Sequence, residues 1–302
     1  MNCFATISTV SHLHKVEALF QSLGELCDGQ NISFCCWCID MDESKQTTLP
    51  IVGQDEIRKN ETANQVFQKY SKNLDRIRWS LKPIMISQLL NNHDKVIYLD
   101  NDTIFFNDPS FLFDELVEHN ILLTPHHYPH NPKKNQNWLE ANFKVGLYNA
   151  GFIGVNRSAK HIMEWWADCC LYRCEKSLIR GLFDDQKYLD LIPVIHPNTK
   201  ILEHKGCNVA GWNVDVCKRV KQEDGSVLID NKWLLVFVHF NGFSVRSIIQ
   251  DKDPLLKPYL DKYVRALQVF RPELELDELW HENTLWDRIK LSAWRLLDRF
   301  KK

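Results

Sequence analysis

The run Val96-Ile97-Tyr98-Leu99-Asp100-Asn101-Asp102-Thr103-Ile104-Phe105-Phe106 decides how this chain folds and where its chemistry lies. Its apolar first half reads as a buried strand over Lys95–Leu99. The strand runs straight into Asp-x-Asp, so two carboxylates emerge together at its carboxyl end. In open α/β sheets that is the edge where ligands bind. Two hard oxygen donors spaced i, i+2 can hold one face of Mg²⁺ or Mn²⁺ and leave other positions for phosphate oxygens and water. An EF-hand is excluded: with Asp100 as position 1, Phe105 falls where Gly is needed and Phe111 where the bidentate Glu belongs. A solvated turn after a strand is the competing reading of the bare motif.

Outward from this strand the pattern alternates. Phe4–Val10 is apolar and β-rich, and a helical spacing follows through Val16, Leu19, Phe20 and Leu23, closing near Gly24 or Gly29. Residues 32–39 read as a second buried strand ending at Asp40, and residues 41–60 as a polar loop. Leu74, Ile77 and Leu81 recur at helical spacing, and Pro83 suits the first turn of a new helix through Leu90. Further strands are expected at Ile121–Thr124, Phe152–Val155, Val194–His196 and Leu234–Val238, and helices at 158–174 and 184–191. This alternation predicts an α/β fold, a mixed sheet flanked by helices, over residues 1–250. Residues 251–302 read as a C-terminal helical extension. Residues 125–145 are polar, contain Pro and His and lack periodicity, which predicts a surface loop or lid.

Composition narrows the class. The chain has 302 residues, 44% hydrophobic and 25% charged, which is ordinary globular usage and argues against disorder. Lys+Arg at 37 against Asp+Glu at 39 gives a net charge of -2, so a nucleic-acid partner is disfavoured. No run of about 18 apolar residues is present, and the start has neither a basic n-region nor a signal h-region. These features predict a cytoplasmic chain whose 10 cysteines are reduced. Neither Cys35, Cys36 and Cys38 nor Cys169, Cys170 and Cys174 has CxxC spacing, so buried thiols are expected rather than zinc.

Six short pieces follow one another along the chain: Ala5-Thr6-Ile7-Ser8, Lys82-Pro83, Tyr98-Leu99-Asp100-Asn101-Asp102, Tyr148-Asn149-Ala150-Gly151-Phe152, Asp184-Asp185-Gln186 and Val238-His239-Phe240-Asn241-Gly242. In their order they resemble a GT-A nucleotide-sugar glycosyltransferase, most closely the family-eight group that makes bacterial surface glycans. They lie in the family's order across residues 4–243. The resemblance implies a GT-A, Rossmann-like sheet and transfer of a hexose from a nucleotide-diphosphate sugar, a UDP-sugar above all. The acceptor would be a glycan or a lipid-linked sugar. Asp100 and Asp102 would hold Mn²⁺ or Mg²⁺, with His239 as third ligand. Thr6, Ser8 and Asp40 would meet base and ribose, or else cap strand ends and helices.

Lys82 and Arg78, one helical turn apart, would offer positive charge to the diphosphate, and Asn101 belongs to the same motif. Asn149, Gly151 and Gly242 would border the donor, with Gly151 allowing close approach to the backbone. Asp185 and Gln186 match the pair beside the sugar's anomeric carbon, and the part of Asp184 is unassigned. The resemblance points to retention; inversion would instead need a general base, for which Asp184 or Asp185 could serve. One position departs from the pattern. Related enzymes often carry Lys six residues after the late His, where this chain has Val245 followed by Arg246. Arg246 is the expected substitute. Trp212, in Asn208-Val209-Ala210-Gly211-Trp212-Asn213, would stack on an acceptor sugar or be buried. His126, His127 and His130 are irregularly spaced without an acidic partner and read as lid residues rather than metal ligands.

A sugar-phosphate nucleotidyltransferase would need a Gly-rich loop near the N-terminus, and Ile7-Ser8-Thr9-Val10-Ser11 has no glycine. A non-catalytic sugar-binding protein of the same fold and a metal-dependent phosphohydrolase stay open. Residues 284–302 form a basic amphipathic pattern with Leu285, Trp286, Ile289, Ala293, Leu296, Leu297 and Phe300 on one side. It fits an in-plane helix on an anionic membrane surface, at the inner face of the membrane, or a helix docked on the protein's own core. Removing residues 284–302 is expected to release the protein from anionic vesicles while UDP binding survives. Vesicle co-sedimentation and nucleotide titration read the two effects, and an aggregating truncation would favour the docked helix.

Overall fold

The first strand shows why a sheet with two covered faces forms. In Asn2–Ser8 (β1), Cys3, Ala5 and Ile7 enter one core cluster and Phe4 enters the other. The strand Lys95–Leu99 (β4 below) divides likewise, with Val96 and Tyr98 on one side and Ile97 and Leu99 on the other. Side chains of a strand alternate between faces, so a strand apolar throughout must be covered on both.

The computed structural model describes residues 1–27, 29–41 and 49–280. The remaining strands are β2 (Ile32–Cys38), β3 (Ile51–Val52), β5 (Thr103–Phe105), β6 (Ile121–Pro125), β7 (Tyr148–Asn156), β8 (Glu175–Ser177) and β9 (Leu182–Asp184), then β10 (Thr199–Ile201), β11 (Arg219–Lys221), β12 (Val227–Ile229), β13 (Trp233–Leu234) and β14 (Phe237–His239). The helices are α1 (Leu13–Leu26), α2 (Gln54–Ile57), α3 (Glu61–Lys69), α4 (Leu74–Leu89) and α5 (Phe111–Glu118), then α6 (Gln136–Lys144), α7 (Lys160–Tyr172), α8 (Ile192–Ile195), α9 (Gly242–Ile249) and α10 (Lys257–Phe270).

Seven strands form one sheet in the order β10-β6-β7-β4-β1-β2-β3. All run parallel except β7, which is antiparallel to both β4 and β6. The expected mixed α/β sheet flanked by helices is therefore the observed architecture. Helices α3, α4 and α7 supply one covering layer, and α1 and α5 supply the other. The chain leaves β1 through α1 to β2, then returns past α4 to β4 on the opposite side of β1. The order reverses between β1 and β4, which opens a crevice at their carboxyl ends.

Two short pairings complete the site's frame. Strand β14 runs antiparallel to β5, matching Phe237 with Phe105, Val238 with Ile104 and His239 with Thr103. Helix α10 lies against α1, and its Tyr263 stacks on Phe240 with ring centroids 4.6 Å apart.

Several local expectations are corrected. Helix α4 runs unbroken through Pro83, which is buried; packing of the helix against β1 and α7 outweighs the hydrogen bond proline cannot donate. Val194–His196 is not a strand. Pro193 occupies the first turn of α8, Pro197 follows it, and the strand comes later as β10. Residues 125–145 contain α6, capped by the Asn135 side chain accepting from Trp138 N at 3.2 Å. None of its residues is fully buried, and Trp138 and Ala141 pack on its inner side. Leu234–Val238 splits between β13 and β14, while residues 186–191 form a 3₁₀ helix after β9. No disulfide joins any of the 10 cysteines; eight are buried, and Cys35 and Cys169 are half-buried. No helix among the described residues is long and apolar enough to cross a membrane. The amphipathic pattern of 284–302 lies outside the described residues.

Gly206 marks the tightest crossing under β14. Its carbonyl accepts from Val236 N at 2.8 Å, and a Cβ there would sit 1.7 Å from the Leu234 carbonyl oxygen. Gly206→Ala is expected to cost about 1–3 kcal/mol in chemical denaturation. Gly24→Ala, in the exposed interior of α1 with nothing within 4 Å, is expected to stabilise by roughly 0.5–1 kcal/mol.

Candidate active site

The carboxyl end of β4 delivers Asp100 and Asp102, and the register of β14 on β5 brings His239 against them. Their ligand atoms lie within 4.8 Å of one another. His239 Nε2 is 3.0 Å from Asp102 Oδ1. Phe240 N donates to the Asp102 carbonyl at 2.7 Å and locks the two segments together. Two carboxylates and an imidazole are a donor set that suits Mn²⁺ well and Mg²⁺ less so. Gly151 forms the floor: a Cβ there would lie 2.5 Å from His239 Cε1 and 2.9 Å from Asp100 Oδ2. The residues present thus fit a divalent ion.

The imidazole is held from behind. Asn208 Oδ1 lies 3.3 Å from His239 Nδ1, and Asn208 Nδ2 donates to Thr124 Oγ1 at 3.0 Å. With its oxygen turned toward the ring, Asn208 favours a proton on Nδ1 and leaves Nε2 to face Asp102. Burial works against charge on His239, but Asp102 outweighs it and raises the pKa. Burial likewise opposes ionisation of Asp102, and His239 reverses this to hold the carboxyl well below its usual range. A metal ion here would take the place of that shared proton.

Beside this triad, Lys82 is 3% exposed. Its Nζ lies 3.1 Å from Asp100 Oδ1 and 3.3 Å from Asp185 Oδ2, and donates to the Ala150 carbonyl at 3.1 Å. Burial disfavours its charge, yet the two carboxylates win and its pKa rises. Tyr98 adds a hydroxyl donated to Asp100 Oδ1 at 3.0 Å. Burial pushes Asp185 up to about 6, with Lys82 pulling the other way. Gln186 is anchored: Oε1 accepts from Ala150 N at 3.1 Å and Asn149 Nδ2 at 3.3 Å, and Nε2 donates to the Val145 carbonyl at 3.3 Å. Asp184 sits at φ 51° and pairs with Lys176 at 3.5 Å.

These groups line a cleft of about 300 Å³. Of the residues singled out in the sequence, it gathers Arg78, Lys82, Asp100, Asn101, Asp102, Asn149, Gly151, Asp184, Asp185, Gln186 and His239. Thr6, Ser8, Asp40, Gly242 and Arg246 are not in its lining. Ser8 supports it indirectly, its Oγ accepting from Asn101 Nδ2 at 3.0 Å. Asp40 caps the turn after β1 by accepting from Val10 N at 2.8 Å. Thr6 is fully buried. Gly242 opens α9, and Arg246 turns away toward Trp280.

Trp212 is buried, edge-on to both His126 and His239. His126 donates Nδ1–H to the Gly146 carbonyl at 3.0 Å, and burial lowers its pKa to about 3, so it is a neutral support for Asn149. Lining residues that sequence reading did not single out are Ile7, His12, Lys15, Trp79, Tyr98, Ala150, Lys176, Phe183 and Asn241. Ile7, Tyr98, Ala150 and Asn241 lay inside quoted motifs; the others come from helix and hairpin faces that carry no local signal.

No family model matches the sequence. The chain is similar to two Bacillus subtilis proteins described as uncharacterized. YfnF is 27% identical over 263 residues, covering 83% of this chain and 84% of that protein. YfnD is 26% identical over 254 residues, covering 80% and 78%. Among solved structures, mouse xyloside xylosyltransferase 1 in its apo form is similar with a TM-score of 0.47 and 13% identity, over 81% of this chain and 99% of that one. An active-site mutant of LgtC gives 0.48 and 11%, over 79% and 86%. The apo form of the Streptococcus pneumoniae glycosyltransferase GlyE gives 0.46 and 14%, over 79% and 54%.

Gly151→Ala is expected to weaken Mn²⁺ binding about 10-fold or more, because the added methyl displaces His239 or Asp100. Electron paramagnetic resonance of free Mn²⁺ measures this directly.

Proposed function

We propose that this chain is a metal-dependent glycosyltransferase that moves a hexose from a nucleotide-diphosphate sugar, a UDP-sugar foremost, to a glycan or lipid-linked acceptor. The observation that carries the reading is the Asp100–Asp102–His239 cluster at the switch point of the sheet, beside the buried Lys82–Asp185 pair. Asp100, Asp102 and His239 would hold a divalent ion, which would supply Lewis-acid charge to the departing diphosphate. Lys82 holds Asp100 and Asp185 in fixed positions, which preorganises the carboxylates before substrate arrives. Gly151 lets the donor approach the backbone. With Gln186 anchored at both ends of its amide, Asp185 is the carboxylate we assign to oxocarbenium-like charge at the sugar, with retention of configuration.

Asp102→Ala removes a ligand while keeping the backbone bond that Phe240 makes to residue 102. The variant is expected to fold as wild type and to lose sugar transfer by at least about 100-fold, the scale of a missing Lewis acid. The assay is a panel of nucleotide sugars, with UDP titrated in the presence and absence of Mn²⁺. Unchanged turnover in the variant would contradict the metal site. UDP binding indifferent to metal would favour a non-catalytic sugar-binding protein.

A further inference from the structure

Among the described residues, Lys15, Arg78, Lys82 and Lys176 bring positive side chains to the cleft lining. Three of them face carboxylates: Arg78 meets Asp75, Lys82 meets Asp100 and Asp185, and Lys176 meets Asp184. Lys15 differs, with neither hydrogen bond nor ion pair to any described residue. It stands in the first turn of α1, a turn without an acidic residue. A cation there opposes the helix dipole. The folded chain therefore gains little from this ammonium by itself. It nevertheless lines the same cleft as Asp100, Asp102 and His239.

The late segment leaves a matching gap. Val245 is fully buried. Arg246 Nη2 donates to the Trp280 carbonyl at 3.4 Å, its guanidinium lies 5.7 Å from the Trp280 ring centroid, and it is absent from the cleft lining. Helix α9 thus sends no cation into the cleft.

We propose that Lys15, on α1, supplies the side-chain cation that pairs with the diphosphate of the nucleotide sugar, in place of a residue on α9. The assignment rests on the nucleotide-sugar function above. It makes Lys15 a binding residue whose charge is balanced only when an anion enters the cleft. It also predicts opposite effects on the two ligands: the same ammonium that attracts a diphosphate repels a divalent ion held by Asp102.

The test measures UDP binding by calorimetry in excess Mn²⁺, and Mn²⁺ binding without nucleotide by paramagnetic resonance. Lys15→Gln is expected to weaken UDP about 10-fold, the scale of one charge-assisted bond to phosphate, while Mn²⁺ binds as well as before or more tightly. Lys15→Arg is expected to restore UDP binding to within about 3-fold, and Arg246→Gln to change it by less than about 2-fold. If Lys15→Gln fails to fold, Lys15→Met keeps the aliphatic stem and answers the same question. A merely structural role would weaken metal and nucleotide together. Wild-type UDP affinity in Lys15→Gln, or a loss that follows Arg246→Gln instead, would overturn the assignment alone. A wild-type protein that binds Mn²⁺ but no UDP would overturn the nucleotide-sugar function, and the assignment with it.

Discussion

A buried ammonium shared by two carboxylates is the constraint around which the cleft is organised. Lys82 comes from α4, Asp100 from the end of β4, and Asp185 from the segment after β9. Placing an ion in a low-dielectric interior is costly, and the cost is offset only when geometry and remaining hydrogen bonds are good. Here the third donor position of Lys82 reaches the Ala150 carbonyl on β7. One side chain thereby ties the helix layer, the central strand and the antiparallel strand β7 at the site. Removing it would leave the buried Asp185 carboxylate and the half-buried Asp100 carboxylate without their shared counter-charge, a costly local error.

The second organising element is backbone pairing. Strand β14 is only three residues long, yet its register fixes His239 opposite Thr103 and so beside Asp102. A one-residue slip would send the imidazole to the other face of the ribbon. The supports are laid accordingly: Val209 bridges Val238, His239 N donates to the Val209 carbonyl at 2.9 Å, and Gly206 permits the close crossing beneath. Asn208 sits in the same stretch with φ 56°, a left-handed conformation that asparagine tolerates better than most residues. Backbone strain and imidazole orientation are therefore solved within one loop.

Charge balance in the cleft follows from these two devices. Its carboxylates are matched inside the protein by Lys82, Lys176 and His239, so the metal triad is preorganised rather than assembled on binding. Lys15 stands outside that balance, and the proposed diphosphate, entering with a divalent ion, is what would complete it.

Much of this was legible in the chain itself. The apolar run into Asp-x-Asp located both the central strand and the carboxylates, because strand direction and the i, i+2 spacing are local properties. Lys82, Asp185 and His239 were found through the order of short motifs, whereas Asn208 was noticed only as part of its segment. What pattern alone could not decide was where long-range partners would take each side chain. Pro83 stayed inside a helix because burial outweighed a missing hydrogen bond, and Val194 and Ile195 became helix because Pro193 fitted its first turn. Arg246 was diverted by Trp280, and Lys15, unmarked by any motif, entered the cleft because α1 packs beside the end of β1. Spacing along a chain specifies which face a residue occupies; only packing between elements specifies what that face meets.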